Sequence, residues 1–229
     1  MLMPNQVQRP PRMLSSAQPI QQLYIPSGRP LVILNGSTNG NLQPLYQRVR
    51  PLLQEGLAAW AARRGAVVIT GGTNAGIFAV LGQGFARYGR PMACIGVAVA
   101  QLVQPPPEGV ALEPNHTHML LTEGQHWGAE VYAMYALAAA YGPPAHSLTI
   151  VVGGGPNTLR ELEYCAAQGG RMLVVEGSGG VADALLDSLS GQRSGEERLQ
   201  RLAHTAQIYR INLHAPPHVL QVLLDALMR

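Results

Sequence analysis

The chain has 229 residues, enough to build one well-cored domain without disulfide or metal staples. Its 47% apolar content excludes wholesale disorder, and its charged fraction of 13% is about half that of an ordinary soluble domain. The net charge is only +3 and no basic stripe exists, so nucleic acid is not an expected partner.

All 16 basic residues are Arg. The lack of Lys excludes a Walker-type phosphate loop, a Schiff-base enzyme and a Lys general base. Any cationic ligand contact is therefore a guanidinium fork, a shape that suits phosphate.

Residues 1–30 hold Pro4, Pro10, Pro11, Pro19, Pro26 and Pro30 among Gln and Ser. They read as an extended arm, carrying Arg9 and Arg12, rather than as a packed element. Residues 31–229 read as a single domain. Within it, short β-branched runs end in small-residue loops that open Ala/Leu-rich segments. Strands are expected at 31–35, 66–70, 92–99, 117–122, 147–152, 171–176 and 207–213. Helices are expected at about 42–64, 74–88, 128–141, 157–168, 180–190, 195–204 and 217–228, with a kink or two shorter helices at Pro51. Several strand candidates are apolar almost throughout, as strands buried on both faces are. The alternation predicts an α/β fold, a mostly parallel, doubly wound sheet with helices on both faces. The Pro-rich connection 101–115 is unusually long for a compact domain.

Cys94 and Cys165 are far apart in apolar stretches and form no CxxC pair, which excludes a finger-type zinc site. Two buried thiols in a reducing compartment is the reading. The longest apolar run, Val131 to Tyr141, is too short to span a membrane, and no charged-then-apolar leader opens the chain. The expectation is a soluble cytoplasmic protein. A helix as uniformly apolar as 131–141 is buried centrally or at a subunit interface, so a homodimer or higher oligomer is expected.

Ligands of such sheets bind outside the carboxyl ends of the strands. Four loops there carry small residues: 35-NGSTNGN-41, 70-TGGTNAG-76, 152-VGGGPNT-158 and 176-EGSGGVAD-183. Glycines let backbone N–H groups approach a ligand, and helix N-termini add partial positive charge. Together they suggest a cradle for phosphate or pyrophosphate. The candidate ligand-binding residues from these loops are Gly36, Ser37, Thr38 and Asn39; Gly71, Gly72, Thr73, Asn74 and Gly76; Gly153, Gly154, Gly155, Asn157 and Thr158; and Gly177, Ser178, Gly179, Gly180 and Asp183.

The segment 111-ALEPNHTHMLLTEGQHWGAEV-131 resembles the signature of the N-terminal homology region of melastatin-type TRP channels. The segments 69-ITGGTNAGI-77, 151-VVGGGPNTL-159 and 174-VVEGSGGVAD-183 match in order and kind. The chain is thereby identified as a member of the SLOG superfamily, nearest its prokaryotic LSDAT branch. The resemblance implies a Rossmann-like domain that binds nucleotide derivatives, and the expected function is a sensor of a nucleotide-derived signal rather than an enzyme. ADP-ribose, NAD-type ligands and their cyclised forms come first, then cyclic dinucleotides such as cyclic di-GMP, with no cofactor required. One departure stands out. The channel pattern often has Arg after Gly-Ser-Gly, and this chain has Gly180.

The chain also resembles, more distantly, the cytokinin-activating phosphoribohydrolases, through 153-GGGPNTLRE-161. It lacks their leading Pro and has Asn157 where they have Gly. That resemblance implies Glu161 as the carboxylate of N-glycosidic hydrolysis, with Arg160 beside it. The alternative for Glu161 is an ordinary helix-surface carboxylate near the positive helix end. Arg160 faces either ligand or solvent.

His116 and His118 at i, i+2 would share a strand face, where Glu123 or His126 would complete a metal site. The resemblance instead gives the Asn-His-x-His segment a structural role, and no metal is expected. His214 and His218 are separated by the helix-breaking Pro216 and Pro217. Trp127, beside Gln125 and Gly128, either stacks on a purine or packs. Asn115 either bonds the ligand or caps a turn.

Overall fold

The computed structural model describes residues 11–14, 26, 28–104, 109–143, 146–192 and 196–228. Eight strands form one wholly parallel sheet: β1 (Arg12–Leu14), β2 (Leu31–Gly36), β3 (Val67–Thr70), β4 (Ala93–Val99), β5 (His118–Thr122), β6 (Ser147–Val152), β7 (Arg171–Glu176) and β8 (Gln207–Asn212). Their spatial order is β1-β5-β4-β3-β2-β6-β7-β8. The chain winds outward from β2 in one direction, then restarts beside it at β6 and winds the other way. The strand order therefore reverses between β2 and β6, which is where a doubly wound sheet opens a crevice.

Alternation along buried strands builds a core on each face. From β2, Val32 and Leu34 pack with helices on one side, while Leu31 and Ile33 pack on the other. The first layer comprises α1 (Gln43–Arg50), a π-helical stretch (Pro51–Ala58), α2 (Ala59–Arg64), α3 (Gly76–Tyr88) and α8 (Pro217–Leu227). The second comprises α4 (Val131–Tyr141), α5 (Pro156–Ala167), α6 (Gly180–Leu189) and α7 (Glu197–Thr205). Both thiols are buried and free, and burial pushes both up in pKa.

One local expectation is met and one is corrected. The first helical segment is interrupted at Pro51 as expected: α1 ends before it and α2 resumes at Ala59, while Pro51 keeps helical dihedrals (φ −58°, ψ −44°) and opens the π-helical stretch between them. Pro has no N–H to return to the preceding turn, so the hydrogen-bond register loosens there. The stretch ends with the Ala59 N–H reaching back five residues to the Gln54 carbonyl. The N-terminal segment is more than an unpacked arm, because Arg12–Leu14 adds an edge strand parallel to β5, in register Arg12 to His118. Arg9 and most of that segment lie outside the described residues.

The long connection after β4 folds back over the loop after β3. Thr73 and Leu112 form an isolated antiparallel bridge. Among the described residues no helix is long and apolar enough to cross a membrane.

Candidate functional site

The crevice starts where β2 and β6 end side by side. A Cβ on Gly36 would lie 2.0 Å from the Val152 carbonyl oxygen, and its φ is +145°, so only glycine fits between the two strand ends. The Ser37 N–H then donates to that same carbonyl at 2.9 Å. The Ser37 hydroxyl, buried, accepts the Gly154 N–H at 2.7 Å and ties the two crevice loops together.

The loop after β7 braces the loop after β6. Ser178 Oγ accepts the Gly153 N–H at 2.8 Å and donates to the Val175 carbonyl at 2.5 Å. Asp183 accepts the N–H groups of Gly177 and Gly179 at 2.7 and 2.9 Å. The Val181 and Ala182 N–H groups, in the first turn of α6, donate to the carbonyls of Gly154 and Gly153 at 3.1 and 3.0 Å. Those donors are spent inside the protein, so this loop is a buttress rather than an open cradle. Gly180 shows why Arg is absent from this position. Its φ is +57°, and a Cβ there would lie 2.3 Å from the Gly154 carbonyl oxygen. Gly180→Ala is expected to cost about 1–3 kcal/mol, from backbone strain plus that clash, measured by thermal denaturation.

The loop after β3 is committed in a similar way. The Gly72 N–H donates to Thr70 Oγ1 at 2.9 Å and the Asn74 N–H to the Ala111 carbonyl at 2.7 Å. The Glu113 N–H returns to the Gly72 carbonyl at 2.9 Å. Gly71 and Thr73 are buried, and Gly76 abuts Ser37 and Tyr46. The Ile77 N–H donates to the Ser37 carbonyl at 3.2 Å, which docks α3 against the crevice loop.

What remains open lies at the switch point itself. Thr38, Asn39 and Gly40 are exposed on one lip, and Gly155, Pro156 and Asn157 on the other. No side chain caps the N-terminus of α5, and nothing lies within 4 Å of the position a Gly155 Cβ would take. Thr158 is buried one residue further on. An uncapped helix N-terminus with unobstructed approach is suited to an anion. On the other lip, Asn39 caps its own turn by accepting the Asn41 N–H at 3.0 Å.

Beside this opening α5 carries Glu161, which is not the helix-surface carboxylate of the simpler reading. It is largely enclosed, and burial followed by the charge of Glu130 pushes its pKa from 4.5 to about 8. Glu130 is buried, accepts the Gly128 N–H at 2.7 Å, and is itself raised by burial. Glu161 also acts electrostatically on Tyr135, whose hydroxyl accepts from Asn35 Nδ2 at 3.0 Å. Asn35 Oδ1 is buried without a partner. Arg160 is exposed, and its guanidinium lies over Gly128 beside the Asn157 side chain. Its charge acts on Glu130, as does that of exposed His126. Trp127 is half-buried in this turn and precedes α4, which begins at Val131. Asn35, Glu130 and Tyr135 were absent from the candidates. Only Glu130 carried a signal, as the last acidic residue of 123-EGQHWGAE-130.

Asn115 and His116 fall elsewhere, beside the end of β3 and α3, and His118 lies on β5 between β4 and β1. Asn115 donates its N–H and Nδ2 to Glu113 at 2.8 and 2.7 Å. His116 is fully buried, with Nδ1 2.7 Å from Glu113 Oε2 and Nε2 2.7 Å from Thr70 Oγ1. The two imidazoles do not work as a pair, because His118 is half-buried with Nδ1 2.8 Å from Thr117 Oγ1. His214 and His218 lie at the turn into α8, remote in sequence from these loops.

A fully parallel, doubly wound sheet whose strand order reverses at a crevice defines a Rossmann-like domain. More particularly, the chain belongs to the family described as SLOG in TRPM, prokaryote, whose model matches residues 29–221. It is 25% identical over 194 residues to transient receptor potential cation channel subfamily M member 2 of Rattus norvegicus, and equally to that of Mus musculus. Each match covers 67% of this chain but only 13% of the channel, so the chain spans about an eighth of those relatives.

Two solved structures share its fold. The X-ray structure of TM1055, a structural genomics target, aligns with TM-score 0.59 at 16% identity, covering 85% of this chain and 98% of that one. The molybdenum cofactor binding protein of the phototrophic bacterium Rippkaea orientalis aligns with TM-score 0.56 at 16% identity, covering 88% and 98%.

Proposed function

We propose that this protein is a sensor that binds a nucleotide-derived anion at the β2–β6 switch point. ADP-ribose, NAD-type ligands and their cyclised forms are the first class, and cyclic dinucleotides the second. The observation that supports this most is the uncapped N-terminus of α5 at Gly155–Thr158, open to solvent opposite Thr38–Gly40. The buttressing hydrogen bonds from Ser37 and Ser178 preorganise that loop, so little ordering cost falls on binding. Occupancy would be relayed through contacts with a second copy or another protein. The exposed Tyr132 of α4, set edge-on against Tyr164, is the feature that favours such a contact.

A second reading rests on Glu161. A carboxyl with pKa about 8 holds its proton at neutral pH, as a general acid for ribose–base cleavage must.

The test is a thermal-shift titration with AMP, ADP-ribose, NAD, cyclic ADP-ribose, cyclic di-AMP and cyclic di-GMP, each followed by chromatography. Ligand at 100 times its Kd is expected to stabilise the protein by about 2.7 kcal/mol and to be recovered intact. Free base in the eluate makes the protein a hydrolase. No shift and no breakdown across the panel overturns both readings.

Gly155→Asp sharpens the test. The φ of −131° and the open space at this position accept a side chain, and Asp is a favoured N-cap. The variant is expected to keep or raise the melting temperature of the free protein. Its carboxylate would occupy the anion position, and the ligand-induced shift is expected to disappear.

A further inference from the structure

A cavity of about 190 Å³ lies at the amino-terminal edge of the sheet, at the opposite end of the strands from the crevice. It sits where β2, β6 and β7 begin and where α4 and α8 end. Arg29, Leu31, Tyr141, His146, Arg171 and Met228 are among the residues that line it. Its volume is roughly six waters' share of liquid, so it takes a small solute, not a whole dinucleotide.

The chemistry of the lining is unbalanced. Two arginines and a histidine are among its lining residues, and no carboxylate lines the cavity among the described residues. Neither arginine takes part in an ion pair among those residues. Arg171 donates from Nη1 to the Leu227 carbonyl at 2.7 Å, near the end of α8, but its Nε is buried with no partner. The Tyr141 hydroxyl is likewise buried and unpartnered. Two orphaned polar groups on side chains around one cavity are an unusual expense for a fold that satisfies its other loops so fully. An oxyanion drawn in among them would supply the missing acceptors and the missing negative charge, and guanidinium forks match its geometry.

We propose that this cavity is a second binding site, for a tetrahedral oxyanion of the phosphate class, separate from the switch-point crevice. The ion would be held by Arg171, Arg29 and Tyr141, with His146 at the rim. The source is either free phosphate or the phosphoryl end of a small metabolite. Because the cavity is lined by the first residues of β2 and β7 and by His146 just before β6, it lies at the start of the strands whose far ends carry the crevice loops.

The experiment uses the full chain and inorganic phosphate, titrated into the millimolar range at constant ionic strength. Thermal unfolding and the Arg side-chain Nε–H resonances are the two readouts. A saturable rise in melting temperature is expected, with movement of the one Nε–H signal that Arg171→Met removes. Tyr141→Phe and Arg29→Met, neither of which removes a hydrogen bond seen here, are each expected to raise the apparent Kd about tenfold, the worth of one charge-assisted contact. The same titration with ribose 5-phosphate separates the sources. Tighter binding than phosphate, weakened by the same variants, assigns the site to a phosphoryl end, and weaker binding assigns it to the free ion. No saturable response to either probe overturns the proposal. So does a response unchanged in Tyr141→Phe and Arg29→Met but lost in Gly155→Asp, which places the ion in the crevice.

Discussion

Glu113→Ala is expected to destabilise the protein by about 3–5 kcal/mol, the sum of stranding buried hydrogen-bond donors and leaving a cavity. For a domain of this size that is roughly a 6–20 °C fall in melting temperature. The Glu113 carboxylate is 1% exposed and serves three donors at once: the Asn115 N–H, Asn115 Nδ2 and His116 Nδ1. It also presses on α3 where Gly82 leaves room for it, since a Cβ there would lie 2.0 Å from Glu113 Oε1. Removing it strands all three donors and opens a void against the helix. Through His116 the loss reaches Thr70, which holds the Gly72 N–H, and so the turn that leads into α3. Glu113→Gln keeps the volume and one accepting oxygen, so a smaller loss is expected. Urea and thermal denaturation followed by circular dichroism measure both. A cost below about 1 kcal/mol for Glu113→Ala would mean that this cluster is held by its surroundings and contributes little itself.

The strands of this fold were legible because parallel, doubly covered strands are nearly continuous apolar runs. Seven runs predicted from that feature match observed strands to within a residue or so at each end. Arg12–Leu14 escaped because it pairs on one side only and lies among prolines, where three residues carry no periodic signal. At Pro51 the interruption was legible but its π-helical form was not. Local chemistry shows that an N–H is missing, but whether the helix breaks or only loosens its register depends on packing such as the tight approach of Gly84 to Ala58 and Gln54. The small-residue loops were readable as loops, and glycine content marks where backbones approach closely. It does not say what they approach. At Gly36, Gly76 and Gly180 the neighbour is the protein's own backbone, and at Gly155 it is open space. Asn115 and His116 were visible as a motif, yet their partners Glu113 and Thr70 are assigned only once the connection 101–115 folds back over β3. Asn35 and Tyr135 meet across 100 residues of sequence, a distance over which no spacing rule operates.

Glu161→Gln is expected to act in the opposite direction, stabilising the protein at alkaline pH. The ordinary carboxyl value of 4.5 is raised to about 8 in the folded state, first by burial and then by Glu130. Between those two values the folded protein holds a proton that the unfolded chain has released. Stability therefore falls as pH rises through this window and levels off above it. At about 1.36 kcal/mol per unit the full penalty approaches 5 kcal/mol, and partial access of water to the side chain reduces it to about 2–4 kcal/mol. Gln reproduces the shape and neutrality of the protonated acid. The variant should match the parent near pH 5 and exceed it by that margin near pH 9, in melting temperatures recorded across the range. A variant that is less stable at every pH would mean that Glu161 is ionised and paired in the folded state, against the burial argument. A carboxyl retained at such a cost, beside an open helix N-terminus, is what a site selected for something other than stability contains. The ligand panel run on Glu161→Gln then divides the two functional readings. Unchanged binding with intact ligand in both proteins leaves Glu161 as an electrostatic element of a sensor. Base released by the parent and not by the variant makes it the proton donor of a hydrolase.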